Sequence, residues 1–449
     1  MALSASTILE VRSTGSDTNS FGFVTGASGT DWSQQDAAQY SVTDGVTAGT
    51  TTITSASANF GTDVVGNLIY VQGGTAPVTA GWYQITVRTN STTITVDRST
   101  GLTAGTGATL KIGGCAATIA PALAIMTVSG MQMYVKATAI YSISTALTIP
   151  AGMNYGISPN RISGYTTTRG DNGRAVIKTT SAVGGIVVGT VAGCLIENFE
   201  LDGNSIGATG LSIGGVQTGT ISNVWSHHWT AEGVNNTFGN VTFSSCEVSN
   251  CAGTTASFVI GTGGTSAIGC YSHDNTKTGF SSSTGPFIRC VSANNAGATS
   301  DGFVSTSGSM IYGCVAYNNG RAGVNYNNGA VGMCIGNILV NNATYGINTN
   351  YSASGVTPIM QNMNFNAYYN NTSGARNKFG VGVNDVTLTG VPFTNAAGSD
   401  YSLNNTAGQG AACRSVGFPG TAPFGTGYND IGPLRHQDPT GGGYNIVFD

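Results

Sequence analysis

The chain has 449 residues, room for two or three domains, yet only 8% of them are charged and the net charge is −4. That balance leaves no basic footprint, which excludes a nucleic-acid binder of the usual electrostatic kind. No apolar run approaches the roughly 18 residues of a membrane span, and β-branched and aromatic residues recur with a period, unlike a disordered chain.

In chain order, residues 1–40 carry Gly and Asn turns around Glu10-Val11-Arg12 and a polar stretch at Asp31–Gln35. They read as an attachment segment. Their first dozen residues have no basic start and no long apolar core, so no secretory signal is read there. Residues 41–113 hold short β-rich runs (Thr50–Thr54, Asn67–Gln72, Trp82–Val87, Thr92–Asp97) between turn residues at hairpin spacing, which predicts a small antiparallel β-domain. Residues 114–160 read as a cap and first coils, with one short helix over Thr118–Met126. Residues 161–385 are repeats. Residues 386–449 drift out of period and read as the end of the coil and a tail, whose Gly-rich stretch Thr440–Asp449 is a candidate for docking or exchange between subunits.

The repeats show in four cysteines, Cys246, Cys270, Cys290 and Cys314, spaced 24, 20 and 24 residues apart. Phe199, Val224 and Asn337 extend the column. Three residues before it lies an apolar column: Ile221, Phe243, Ala267, Phe287, Ile311, Cys334. Four and five residues after it lie turn residues such as Asp274-Asn275, Asn294-Asn295 and Asn318-Asn319, which tolerate left-handed corners and can bond to one another along a stack. Further on comes Gly plus an apolar residue, as in Gly279-Phe280 and Gly302-Phe303. A unit of 20–25 residues cannot bury its own apolar face and must stack on its neighbours. The predicted fold is all-β: a right-handed, single-stranded parallel β-helix with a small N-terminal antiparallel β-domain.

Strand alternation then sets the faces. With the cysteines inward, the thiols stay reduced and buried, because in-register residues stack too far apart for a favoured disulfide. One residue after the cysteine column, facing out, are Glu200, Trp225, Glu247 and Tyr271. Three after it are Asp202, His227, His273 and Tyr317. This stripe gathers acids, aromatics and histidines. Trp225, His227, Tyr271, His273 and Tyr317 form a ligand-binding or subunit-interface stripe, and Glu200, Asp202 and Glu247 are the carboxylates for acid–base work if the protein is an enzyme. No metal and no cofactor is read: adjacent strand residues point to opposite faces, so His227 and His228 are not read as a metal pair.

The repeats over 199–347 resemble the right-handed parallel β-helix superfamily that includes pectate-lyase-like enzymes and bacteriophage tailspikes. The ending Asp400-Tyr401-Ser402-Leu403 with Asp430-Ile431-Gly432-Pro433 is similar to endings common after such repeats, and Leu9–Asn19 with Gly29–Asp36 to the openings of phage β-helix proteins. The resemblance implies a homotrimer with capsid or tail proteins as partners, at a virion surface. The family's lyases cluster acids for calcium beside a basic residue, whereas Arg289 and Arg321 share no column with such a cluster. The expectation is therefore a non-enzymatic structural protein on the outside of a phage particle, a capsid decoration or spike that contacts surface polysaccharide, with no membrane and no nucleic acid. The alternatives are a tailspike-type polysaccharide depolymerase, hydrolase or lyase, and a bacterial surface adhesin.

Overall fold

A computed structural model of the chain describes residues 3–75, 78–101, 104–150, 160–189, 193–327, 332–349, 363–378, 380–418 and 429–433. The stretch 440–449 lies outside them. Two compact units divide the chain: Met1–Lys178 with Val187–Glu200 and Val216–Gly219, and Thr179–Ile186 with Leu201–Gly215 and Thr220–Asp449.

In the first unit, strand Thr7–Val11 pairs in parallel with Gln132–Lys136, which pairs with Asn160–Tyr165, which pairs with the start of Gly193–Asp202. The segment read as an attachment piece thus supplies a rung of the coil. Its Glu10 is fully buried and accepts hydrogen bonds from Arg12 Nε (2.9 Å), Arg169 Nε (2.8 Å) and the Tyr165 hydroxyl. A buried carboxylate paired in this way is a structural fixture. Between the first two rungs, strands Tyr40–Ala48, Thr52–Thr54, Thr93–Val96, Gly81–Asn90, Leu68–Gln72 and Ala104–Ile112 close, in that spatial order, into an antiparallel barrel. Ile53, Phe60, Ile69, Tyr83, Ile94 and Leu110 fill it. Closure leaves no bare edge to recruit other chains. The helix is Ile119–Ile125, with Pro121 in its first turn and Asp17 accepting from the backbone N–H groups of Ala117 and Thr118 at 2.9 and 2.8 Å.

The second unit is a stack of parallel strands whose registers are the columns of the repeat. Phe243 aligns with Ala267, then Phe287, Ile311 and Cys334. Ser226 aligns with Val248, Ser272, Ser292, Ala316 and Leu339. All nine cysteines are free and buried. Burial pushes the thiols of Cys246, Cys270 and Cys290 well above their ordinary pKa, so they sit as small apolar groups. A second inward column runs Leu211, Val234, Phe258, Phe280, Phe303, Val324, Ile347. The rings of Phe280 and Phe303 stack at 5.1 Å and 4°.

The turns divide their labour. Asn250, Asp274, Asn294, Asn318, Asn341 and Asn370 take left-handed φ of 49–59°. The next residue turns in: Asn275, Asn295, Asn319, Asn342 and Asn371 are buried, and each of the first four donates its side-chain amide to the next rung's at 2.8–3.0 Å. The corner glycines have a different cause. A Cβ on Gly302 would stand 2.5 Å from the Gly323 carbonyl oxygen, so close rung-to-rung approach, not positive φ, excludes a side chain there. Among the described residues, no helix is long and apolar enough to cross a membrane. The fold is the right-handed parallel β-helix with a small closed barrel that the repeats and hairpin spacing predict.

Candidate functional site

In the second unit the outward stripe has two parts. Trp225, Glu247, Tyr271, Val291, Val315, Ile338 and Ala367 stand in one register, and His227, Ser249, His273, Ala293, Tyr317, Val340 and Tyr369 in another. From Tyr271 onward the chain's own C-terminal segment covers them, packing Leu388, Phe393, Tyr401, Leu403 and Ile431 against the valines and isoleucine. Among the described residues the cover reaches back to Tyr271, whose hydroxyl meets Ser399 Oγ at 3.0 Å and the Tyr401 hydroxyl at 3.4 Å. Beyond that edge the stripe changes character to Glu247, His273, Trp225, His227 and Asp202. The aromatic pair Tyr271 and Tyr317, read as stripe residues, has an intramolecular partner.

The first cluster is Asp202, His227 and His228, whose ligand-type atoms lie within 4.8 Å of one another. His227 Nδ1 and His228 Nδ1 are 2.6 Å apart, and each is 3.9 Å from Asp202 Oδ1. The expectation that these neighbouring histidines face apart is corrected. His228 is in a turn with φ of 57°, on the column that carries Asn or Asp on later rungs. That left-handed step swings its ring to the side His227 already faces. Rung contacts hold the pieces: Gly203 N–H donates to the His227 carbonyl (2.8 Å) and Ser205 N–H to that of His228 (2.8 Å). Gly203 is required, since a Cβ there would lie 2.4 Å from the His228 carbonyl oxygen. Trp225 lies against the His227 ring at 4.2 Å and donates Nε1–H to Ser249 Oγ at 3.1 Å. Asp202 and His227 are largely buried, while 47% of the His228 side chain is exposed, so the cluster opens to solvent on one side.

The second cluster lies two rungs on. His273 bridges Glu247 Oε1 through Nε2 (3.0 Å) and Asp274 Oδ2 through Nδ1 (2.6 Å), and stacks on Tyr271 at 4.0 Å. Burial pulls the imidazole pKa down, but the hydrogen bonds and charges of Glu247 and Asp274 outweigh it, leaving the pKa above its ordinary value. The ion pairs therefore contribute stability that is fully present below the unfolded-state pKa of about 6.5 and is lost as pH rises through the higher folded value. The melting temperature is expected to fall between those limits, and His273→Gln to flatten that fall. An unchanged pH profile in the variant would refute the assignment.

Of the three candidate carboxylates, Asp202 joins His227 and Glu247 joins His273. Glu200, the third, is half-buried and belongs to the first unit. Sequence reasoning missed His228 and Asp274. Both sit on the turn column, and His228 carries a signal in retrospect: it is a histidine where later rungs place Asn or Asp. The expectation of a non-enzymatic structural part is corrected by the Asp202–His227–His228 cluster, which lines up proton-transfer and metal-binding groups that an inert wall does not need.

No protein-family model matches the chain, and no curated protein matches it in sequence. Among solved structures it is similar to pectate lyase Pel9A, at 16% identity over 72% of this chain and 92% of that one, with a TM-score of 0.47. It is also similar to ORF18 of Geobacillus virus E2 (14% identity, 58% and 54% covered, TM-score 0.31) and to the A-module of the Azotobacter vinelandii mannuronan C-5 epimerase AlgE4 (16%, 58% and 89%, 0.36). What the chain has in common with these structures is the fold, the right-handed parallel β-helix that its own strand pairings establish.

Proposed function

We propose that this protein is a polysaccharide depolymerase of the tailspike type, a glycoside hydrolase or lyase, acting on the uncovered part of its outer wall. One observation carries the reading: His227 and His273, each with carboxylate partners, stand in a single register, with Trp225 stacked on the His227 ring, next to the wall that the covering segment packs on. Two rungs separate His227 from His273, about 9–10 Å along the stack at the strand spacing. A succession of rungs of this kind suits an extended polymer. Trp225 offers an apolar face to a sugar ring. His273, held between two carboxylates, is the proton donor toward a leaving oxygen, and Glu247, its hydrogen-bond partner, is the proton acceptor. The assembly is part of the same proposal: a homotrimer at a virion surface, with the weakly charged composition in support.

The test is to incubate the protein with a panel of neutral and acidic surface polysaccharides. Chain shortening is followed by size, new reducing ends and the ultraviolet absorbance of unsaturated uronate, which separates lysis from hydrolysis. Glu247→Gln keeps the shape and removes the acceptor, so it is expected to lower kcat by about 10²–10⁴. A panel with no shortened polymer, or a variant as fast as the parent, would sink the proposal. Sedimentation of the native protein at the mass of one chain would remove the trimer.

A further inference from the structure

We propose that Asp202, His227 and His228 bind a divalent transition-metal ion of the zinc class, and that the turn at His228 exists to complete this site. The donor set decides the class. Two imidazole nitrogens and one carboxylate suit zinc, nickel or cobalt, whereas calcium takes six to eight oxygens and, among the described residues, this group offers it one carboxylate. The spacing also fits. Ligand atoms at about 2.0–2.2 Å from a tetrahedral ion stand about 3.3 Å from one another. The three separations are 2.6, 3.9 and 3.9 Å, so an ion among them would part the two rings by about 0.7 Å and draw Asp202 in by about 0.6 Å. Three protein donors leave one position open on the exposed side of His228, where a water or a substrate oxygen could enter.

A purely structural account explains the arrangement less well. The Nδ1–Nδ1 contact of 2.6 Å can be a single hydrogen bond between the two rings, but such a bond does not need a histidine at the corner. Asn or Asp takes the left-handed corner on later rungs, at Asn250, Asp274, Asn294 and Asn318, and either would bridge the turn without bringing a second imidazole to His227. The backbone around His228 is fixed on both sides, by the Ser205 N–H on its carbonyl and by its own N–H on the Ser249 carbonyl at 3.3 Å. Trp225 holds the other ring in place. The site is thus built into two adjacent rungs, independently of the Glu247–His273–Asp274 group.

The experiment uses the full chain, stripped with chelator, desalted and titrated with zinc chloride by calorimetry, then with cobalt(II) while visible d–d bands are recorded. One ion per chain and tetrahedral cobalt bands are expected, with millimolar calcium unable to displace zinc. His228→Asn places at the turn the residue used on later rungs, so it should fold and melt like the parent. It removes a direct ligand and should weaken zinc by more than the roughly 10–100-fold that an outer partner costs. Asp202→Asn should weaken it likewise, and His273→Gln should leave it unchanged. No stoichiometric zinc, or equal zinc binding by the parent and a folded His228→Asn, overturns the site. Because the readout is binding, the two ideas fail separately: polymer cleavage without zinc binding removes the metal site alone, and zinc binding without cleavage removes the depolymerase alone.

Discussion

Replacing Asp385 by alanine is expected to destabilise the second unit by about 3–5 kcal/mol, the cost of leaving a buried charge without its partner. The inward column that runs through Phe258, Phe280, Phe303, Val324 and Ile347 reaches Arg376 on the following rung. A guanidinium takes the place of an apolar side chain there, with only 1% of its side-chain surface exposed. It is satisfied on every side: Nε donates to the Tyr368 hydroxyl (2.9 Å), the terminal nitrogens to the carbonyls of Met363 (2.9 Å) and Gly380 (3.2 Å), and a close ion pair joins it to Asp385. Asp385 in turn accepts from the backbone N–H groups of Asn366 (2.9 Å) and Gly382 (2.7 Å). Removing the carboxylate strands both the guanidinium and those two donors. Removing both charges at once, in Arg376→Met with Asp385→Leu, returns the column to its apolar pattern and should recover much of the loss, because a buried pair contributes little net stability over a well-packed apolar replacement. Denaturant unfolding of the two variants measures the difference. A single variant within about 1 kcal/mol of the parent would mean that water reaches Arg376 and that the column is open at this rung.

The contrast between the interior and the site shows what a sequence of this kind reveals. The inward columns were legible because stacking repeats one environment many times: Cys246, Cys270, Cys290 and Cys314 occupy equivalent positions, and so do the buried asparagines from Asn275 to Asn371. Period alone locates them. The barrel was legible for a similar reason, since alternation and turn residues are local signals. Three features carry no period. Thr7–Val11 joins Gln132–Lys136 across the whole barrel insertion, a pairing set by tertiary contact and not by repeat. His228 changes direction through one backbone dihedral, so face assignment by strand alternation fails one residue past the strand's end. The covering segment reads as aperiodic because it is not a rung: it crosses the stack and satisfies several rungs together. Without it, the stripe through Tyr271 and Tyr317 has the composition of a subunit interface, which is why sequence reasoning leaned toward an assembly and away from a site.

A chain ended after Gly390 is expected to self-associate and to lose the function of the wall beside it. The truncation uncovers Tyr271, Val291, Val315, Ile338 and Val340, all of which are at most 5% exposed beneath the segment. Each aliphatic or aromatic side chain of that size returned to water forfeits about 1.5–3 kcal/mol. Because they sit in adjacent rungs they form one contiguous patch, and apolar patches beyond a few hundred Å² drive association. The truncated protein should therefore elute as a larger species than the full chain and bind a dye for exposed apolar surface. Tyr401→Ala is the point version. Its ring packs on Phe393 at 5.2 Å and on Tyr271 and Tyr317 at 6.0 Å each, and its loss is expected to cost about 3–5 kcal/mol, concentrated in the cover. Hydrogen exchange should then rise across 393–403 while the buried asparagine ladder stays protected, since the rungs do not depend on the cover for their own hydrogen bonds. The consequence reaches the site through Tyr271. That ring is held by Ser399 and Tyr401 on one side and supports the His273 imidazole on the other. Once released, it no longer fixes His273 between Glu247 and Asp274, and the raised pKa of the imidazole should move back toward its ordinary value. Titration of His273 by NMR in parent and Tyr401→Ala reads this directly. Identical titration curves, together with exchange unchanged over 393–403, would show that the wall holds its shape without the segment.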